Sequence, residues 1–427
     1  MRCLTALPLT AFFATTALAV DFEYTVTNLG SFGGPASEAY AINDAGQVVG
    51  YAYTAGSYYG SPQRHAFFYS DGVMSIMGTP GETDAVAFDI NSSGQATGYT
   101  TIPNGVNTVE VRAFVYQNGS IETLPSSAQY SAYGYAINAS GEVAGCMDNQ
   151  AAVFSGGGSL NLGTLGGSQS FAFAINSSGQ VVGYSTLAGD NEAAAFIYTP
   201  GAGMQNLGTL AGATSNYMPI WASDINDAGQ VIGIAVNQEN QTRHGFLYSN
   251  GQLEDLGSFD ASEMLDPRAI NSAGDIVGNC STTFAPTHTF LRTQGALLDL
   301  NELLVSTDST WRVISANDIN DFGQIAATAE DPQKGRCAVV LSPVPIVTVE
   351  GPSEVATLAT SRMIKGRSSG HALKIFCRVG NGRLKPAAGT SSWRFRGKLR
   401  PGRNVITVTA YGPFGHSEPK KVIVRRR

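Results

Sequence analysis

Charge, cysteine and histidine are all scarce in this chain. Asp, Glu, Lys and Arg make up 14 % of its 427 residues, against roughly 25 % in an ordinary soluble domain. A protein of long solvated helices, which need charged faces, does not fit that balance. The five cysteines contain no Cys-x-x-Cys pair. The separations of Cys146, Cys280, Cys337 and Cys377 match neither a disulfide framework nor a zinc site. The five histidines include no His-Glu-x-x-His, and no Gly-x-Ser-x-Gly, phosphate-loop or calcium-loop pattern occurs. Glycine runs such as Gly156-Gly157-Gly158 are turns, because no helical pattern follows to receive a phosphate. The acids are scattered through loops and turns, so no general acid and base pair stands out. Beyond the first 19 residues no apolar run is long enough to span a bilayer.

Glycine, in contrast, is plentiful, at 50 residues. Much of it sits in one stretch, Ile42-Asn43-Asp44-Ala45-Gly46-Gln47-Val48-Val49-Gly50, which recurs from Ile90, Ile137, Ile175, Ile225, Ile270 and Ile319. All seven copies keep the Asn (Asn43, Asn91, Asn138, Asn176, Asn226, Asn271, Asn320) and the first Gly (Gly46, Gly94, Gly141, Gly179, Gly229, Gly274, Gly323). A second Gly, four residues further on, is kept in six, and Ala327 replaces it in the last. Apolar residues stop at the Ile and resume after the first Gly. Asn bonds backbone two residues on, and Gly supplies a positive φ. The spacing predicts a type I turn closed by a left-handed Gly bulge.

The copies are 48, 47, 38, 50, 45 and 49 residues apart, a period that means a propeller, solenoid or array. Four short strands fit around each turn. The first ends in the Ile and the second begins after the Gly. The third is His65-Ala66-Phe67-Phe68-Tyr69 or its equivalent, and the fourth ends in Leu162-Gly163-Thr164-Leu165 or its equivalent. Seven such units predict an all-β, seven-bladed β-propeller over 20–343. The seventh unit stops after its third strand, while Leu29-Gly30-Ser31-Phe32 matches the end of a fourth strand at Leu256-Gly257-Ser258-Phe259. Pairing the N-terminal segment with the seventh unit closes the ring and removes its open edges.

The combination of His65-Ala66-Phe67, Leu162 to Leu165 and Ala174-Ile175-Asn176-x-x-Gly179-x-Val181-Val182-Gly183 resembles the HAF family of extracellular repeats, over about residues 24–341. The resemblance implies a secreted repeat protein with no defined activity. At the His position the other units carry Arg112, Ala151, Ala194 and Cys337, so a catalytic role for that column is not expected. A buried His bonding a neighbouring turn is.

After Ser342-Pro343-Val344-Pro345 about seven short strands in some 80 residues read as a β-sandwich over 344–427. Its Gly389-Thr390-x-x-Trp393-x-Phe395, Leu399-x-Pro401-Gly402-x-Asn404 and Ile406-Thr407-Val408-x-Ala410 resemble bacterial immunoglobulin-like domains, which implies a spacer or adhesive module. Trp393 reads as core. This segment holds 17 basic residues and three acids, Glu350, Glu354 and Glu418. The rest of the chain holds 9 basic and 30 acidic residues. An excess of 14 positive charges points to an anionic polymer as its partner. Residues 1–19 have the short basic start, apolar run and Ala17-x-Ala19 site of a signal peptide, so the protein is expected to be exported, extracellular or at the cell surface. No membrane span and no nucleic-acid partner are expected.

Two sets of residues are candidate sites. Asp89, Asp224 and Asp318 each precede the repeated Ile, where Ala stands in the other units. They can face a central channel and bind a divalent cation through oxygen, or bond backbone at the turn. The variable loops are aromatic, with Tyr51, Tyr53, Tyr58, Tyr59, Tyr130, Tyr133, Tyr217, Trp221 and Trp311. Rings stack on sugars or peptides, and nearby amides bond them. The alternative is that these rings pack between units. Two functions follow: a binding or scaffold protein presenting a glycan, peptide or protein site, or a polysaccharide lyase or glycosidase. The second needs paired acids at the channel mouth.

Overall fold

In the computed structural model, residues 22–426 are described apart from 58–62, 79–81, 83, 105–108, 127–130, 209–216, 238–242, 261–263, 282–285, 309 and 370–371. The repeated stretch makes one turn seven times. In the first copy the Asn43 side-chain oxygen accepts from the backbone N–H of Ala45 at 3.1 Å and of Gln47 at 3.0 Å. The Gly46 N–H closes onto the Asn43 carbonyl at 2.9 Å. The seven first glycines have φ between 73° and 82°, the left-handed region that side chains resist.

Each turn joins the first two strands of an antiparallel unit. Unit two runs Asp84–Ile90, Ala96–Pro103, Val109–Gln117 and Ser120–Thr123, and the first six units share this order. The seventh consists of Arg312–Ile319, Ile325–Asp331 and Gly335–Pro345. Its fourth neighbour is the N-terminal strand Phe22–Gly30, which pairs with Gly335–Pro345. Tyr24 holds that strand in place. It is buried, its hydroxyl donates to the Gly323 carbonyl at 3.1 Å, and its backbone bonds Leu303 and Val305. The architecture is all-β, built from many small open sheets. Among the described residues the one helical element is the 3-10 turn Ser306–Asp308, and no helix is long and apolar enough to cross a membrane.

The turn Asn also links units. Each side-chain N–H donates to the backbone carbonyl of the Asn in the next unit, at 2.9 to 3.2 Å. The last of these bonds runs from Asn320 to Asn43, so the series passes through all seven units and returns to its start. The apolar core lies between neighbouring units. Ala41, Val49 and Ala66 of the first pack with Ala85, Ile90 and Phe114 of the second. One third-strand Phe per unit is fully buried in six of the seven: Phe67, Phe114, Phe154, Phe196, Phe246 and Phe290. Each contributes about 1.5–3 kcal/mol of burial.

Asn91→Ala removes the acceptor for the Ser93 and Gln95 amides and the donor to Asn138. It should cost about 2–4 kcal/mol in urea unfolding. Asn91→Asp keeps the acceptor and loses the donor, so it should fall between wild type and Ala. Asp equal to wild type would show that the inter-unit bond contributes nothing.

The chain divides into two compact bodies. One contains 23–344 with 411–418, and the other 345–410 with 419–427. The second body has a three-stranded sheet (Val347–Val349, Ser361–Ser368, Ser392–Lys398) and a five-stranded one. Both contribute to one core around Trp393, Ile375, Ile406 and Val424. Trp393 is 1 % exposed, and its ring N–H donates to the Arg367 carbonyl at 3.2 Å.

Candidate functional site

The second repeated glycine shapes the site. A Cβ at Gly50, Gly98, Gly145, Gly183, Gly233 or Gly278 would stand 1.8 to 2.3 Å from a carbonyl oxygen of the first strand. Without the Cβ, the two backbones close in beside a β-bulge. The register slips by one residue in every first strand: at Tyr40, Phe88, Tyr135, Phe173, Ser223, Arg268 and Asn317. A bulge leaves its extra residue unpaired and re-aims its side chain. All seven of these residues line one cavity of about 510 Å³.

The cavity has two unlike halves. Tyr40, Phe88, Tyr135 and Phe173 come from four consecutive units, with ring centroids 5.5 to 5.6 Å apart. Tyr184 continues the series at 5.7 Å from Phe173, and Trp221 also lines the wall. The other half is polar, with Ser223, Asp266, Arg268 and Asn317. Arg268 pairs with Asp266 at 2.6 Å. The Asn317 amide donates to the Ala39 carbonyl at 2.7 Å and accepts from the Ser315 hydroxyl at 2.5 Å. Burial raises the Asp266 carboxyl above its ordinary value, against the opposing effect of Arg268. Burial likewise pushes the Tyr40 hydroxyl up to about 12, so it is a neutral donor at physiological pH. One wall thus offers ring faces and the other offers donors and acceptors.

Asp89, Asp224 and Asp318 each bridge two units. Asp89 accepts from the Ile90 and Ile137 amides, both at 2.7 Å. Asp224 accepts from Ile225 at 2.7 Å and Ile270 at 2.8 Å. Asp318 accepts from Ile319 at 2.8 Å and Ile42 at 2.7 Å. Three carboxyls therefore serve six of the seven repeated Ile amides, two each. Among the described residues Ile175 alone receives none of them. Of the two readings of these acids, the geometry puts all six oxygens on backbone donors. Burial raises Asp89 to about 6 and Asp224 to about 7, and it raises Asp318 well above the usual carboxylate value. Among the described residues no group of three or more His, Cys, Asp or Glu is placed to hold a metal ion.

Of the aromatic residues chosen from the sequence, Trp221 lines the cavity. The Arg243 guanidinium lies 5.6 Å from its ring. Tyr51 and Tyr53 correct the loop reading: they belong to the strand Val48–Thr54 and are 5 % and 3 % exposed. Tyr51 packs behind Tyr40 at 5.9 Å, and its hydroxyl bonds the Glu38 carboxylate. Trp311 is also buried, with the Lys334 ammonium 4.8 Å from its ring. Tyr133 stacks on Tyr135 at 5.9 Å, one layer away from the cavity. Tyr58, Tyr59 and Tyr130 lie outside the described residues, as does the side chain of Tyr217. The His column is half-buried, not buried. His65, His244 and His288 meet Glu82, Asp255 and Asp299 at 3.3, 2.7 and 2.6 Å. Cys146, Cys280, Cys337 and Cys377 are buried thiols, and none is in a disulfide among the described residues.

Residues 166–371 match a family described as "Protein of unknown function (DUF3466)". No curated protein matches the sequence. Fibronectin(III)-like modules of Clostridium thermocellum CbhA are similar at 17 % identity, covering 19 % of this chain and 96 % of theirs, with a TM-score of 0.16. Porphyromonas gingivalis dipeptidyl peptidase 4 is similar at 9 % identity, covering 90 % of this chain and 58 % of its own, with a TM-score of 0.40. Latent PorU from the same organism gives 10 % identity, 95 % and 34 % coverage, and a TM-score of 0.16.

Proposed function

We propose that the larger body is a seven-bladed β-propeller whose cavity binds a glycan, in an exported or cell-surface protein of HAF type. The smaller body is an immunoglobulin-like module that attaches it to anionic polymer. The cycle of seven Asn bonds and the N-terminal strand beside the seventh unit support the propeller. One observation carries the binding reading: the cavity sets an arc of six aromatic rings against an arc of four polar side chains. Sugars have apolar ring faces that stack on aromatics and hydroxyl edges that need paired donors and acceptors. Asp266 is the only acid among the cavity residues described, and Arg268 holds it. A glycosidase of the usual kind needs two acids, so binding is favoured over cleavage.

The test uses the natural variation of the bulge position. Unit five carries Ser223 there, so Phe88→Ser with Phe173→Ser is compatible with the fold. On a glycan array followed by calorimetry, the double variant should bind the wild-type ligand about tenfold more weakly, because each stacked ring is worth about 0.5–1.5 kcal/mol. Unchanged affinity would place the ligand elsewhere. Release of cleaved sugar, abolished by Asp266→Asn, would establish the lyase or glycosidase reading instead.

A further inference from the structure

The two sheets of the smaller body present very different outer faces. On the three-stranded sheet, alternation turns Trp393, Phe395 and Ile364 inward. Lys365 and Arg367 point outward from one strand, and Arg394, Arg396 and Lys398 from the next. The strands are antiparallel, with Lys365 opposite Arg394, Met363 opposite Arg396 and Ser361 opposite Lys398. Five cations thus form two adjacent rows. Those within a row are about 6.8 Å apart, and the rows about 4.8 Å apart. Like charges set directly across a strand pair destabilise it. Glu350 meets Lys365 at 3.4 Å. Among the described residues the other four cations of this face have no ion pair. The five-stranded sheet differs. Its outward residues Phe376, Val405 and Ile423 separate the charges, and Arg425 is paired with Glu354.

We propose that the outer face of the three-stranded sheet, through Lys365, Arg367, Arg394, Arg396 and Lys398, binds a linear carboxylated polysaccharide. The proposal rests on the reading of this body as an attachment module and is independent of the cavity. The chemistry of the face selects that partner. Guanidinium groups engage carboxylates through two parallel bonds, and rows of evenly spaced cations suit a polymer with repeated charge. Among the described residues the face carries no aromatic side chain, so it has no platform on which unpaired bases stack. Among the described residues Met363 is the one large apolar side chain of this face, too little to insert into a bilayer.

The experiment compares full-length proteins on immobilised polygalacturonate. Arg394→Thr with Arg396→Thr and Lys398→Thr removes one row and keeps strand-forming residues. Arg378→Thr with Arg403→Thr and Lys421→Thr removes equal charge from the opposite sheet. The first variant should bind about tenfold more weakly and flatten the dependence of log affinity on log salt by about 2, as expected for three lost contacts to a single-stranded polyanion. The second should stay within about threefold, and Lys365→Thr with Arg367→Thr should repeat the loss if the first variant does not fold. Equal losses in both sets would overturn the assignment to this face while leaving the attachment reading intact. No binding of wild type to polygalacturonate would overturn both. Tighter wild-type binding to duplex DNA or to phosphatidylglycerol vesicles would overturn the polysaccharide as partner.

Discussion

Gly145→Ala should cost more than about 3 kcal/mol, or prevent folding, although it adds a single methyl group. That methyl carbon would stand 1.8 Å from the Tyr133 carbonyl oxygen and 2.9 Å from its carbon. The obstacle is backbone, so no side chain can swing aside. Relief requires the second strand to move off the first, which straightens the bulge at Tyr135 and draws that ring out of the cavity wall. Loss of stability and loss of binding should therefore appear together. Gly157→Ala separates this effect from glycine's conformational freedom. Gly157 has φ +78° and open space around its Cβ, so strain alone should cost about 1–2 kcal/mol. The seventh unit supplies a natural control, because Ala327 occupies the same place opposite Ala316. Ala327→Gly should cost about 0.5–1 kcal/mol, the usual entropic effect in a strand. Urea titration of the three variants measures the order. A Gly145→Ala protein within about 0.5 kcal/mol of wild type would show that the bulge does not depend on the glycine.

What the sequence made legible was whatever recurs with a fixed residue type. Asn43 and Gly46 could be read as a turn because turn chemistry admits few alternatives, and their seven φ values agree. The place of the N-terminal strand could be read because Leu29 to Phe32 repeats the end of another unit. The cavity could not be read that way. Its seven bulged residues are two Tyr, two Phe, a Ser, an Arg and an Asn, a column with no common chemistry. The trace it left was indirect: in six units the second glycine marks the bulge that aims these residues, and in the seventh the bulge at Asn317 stands beside Ala327. Tyr51 and Tyr53 misled because aromatics after a turn read as loop, whereas the second strand continues through both. Neighbouring units cover what a lone hairpin would expose. In the sequence Asp89 reads as a turn or channel residue. Its second partner, the Ile137 amide, lies 48 residues away in the next unit and follows only from how neighbouring units pack.

The three bridging aspartates should make the larger body most stable on the acid side of neutrality, opposite to the usual behaviour of structural carboxylates. In each of them two backbone N–H donors favour the ionised form, but burial outweighs them. Asp224 and Asp318 are raised further by the negative charge of their fellows. The folded pKa is about 6 for Asp89 and about 7 for Asp224, against 3.8 unfolded. Between pH 4 and 7 the folded protein then holds protons that the unfolded chain has released. Their stabilising effect is complete below about pH 4 and is lost as pH rises through the folded pKa values. One pKa unit corresponds to about 1.4 kcal/mol, so the three residues together tilt stability by several kcal/mol across that window. Asp89→Ala with Asp224→Ala and Asp318→Ala isolates their part, because Ala stands at this position in the other four units. The gap in thermal midpoint between wild type and variant should be wide at pH 4.5 and narrow at pH 7.5. A gap that widens as pH rises would show that the bridges work as carboxylates and that the amide bonds, not burial, set their ionisation.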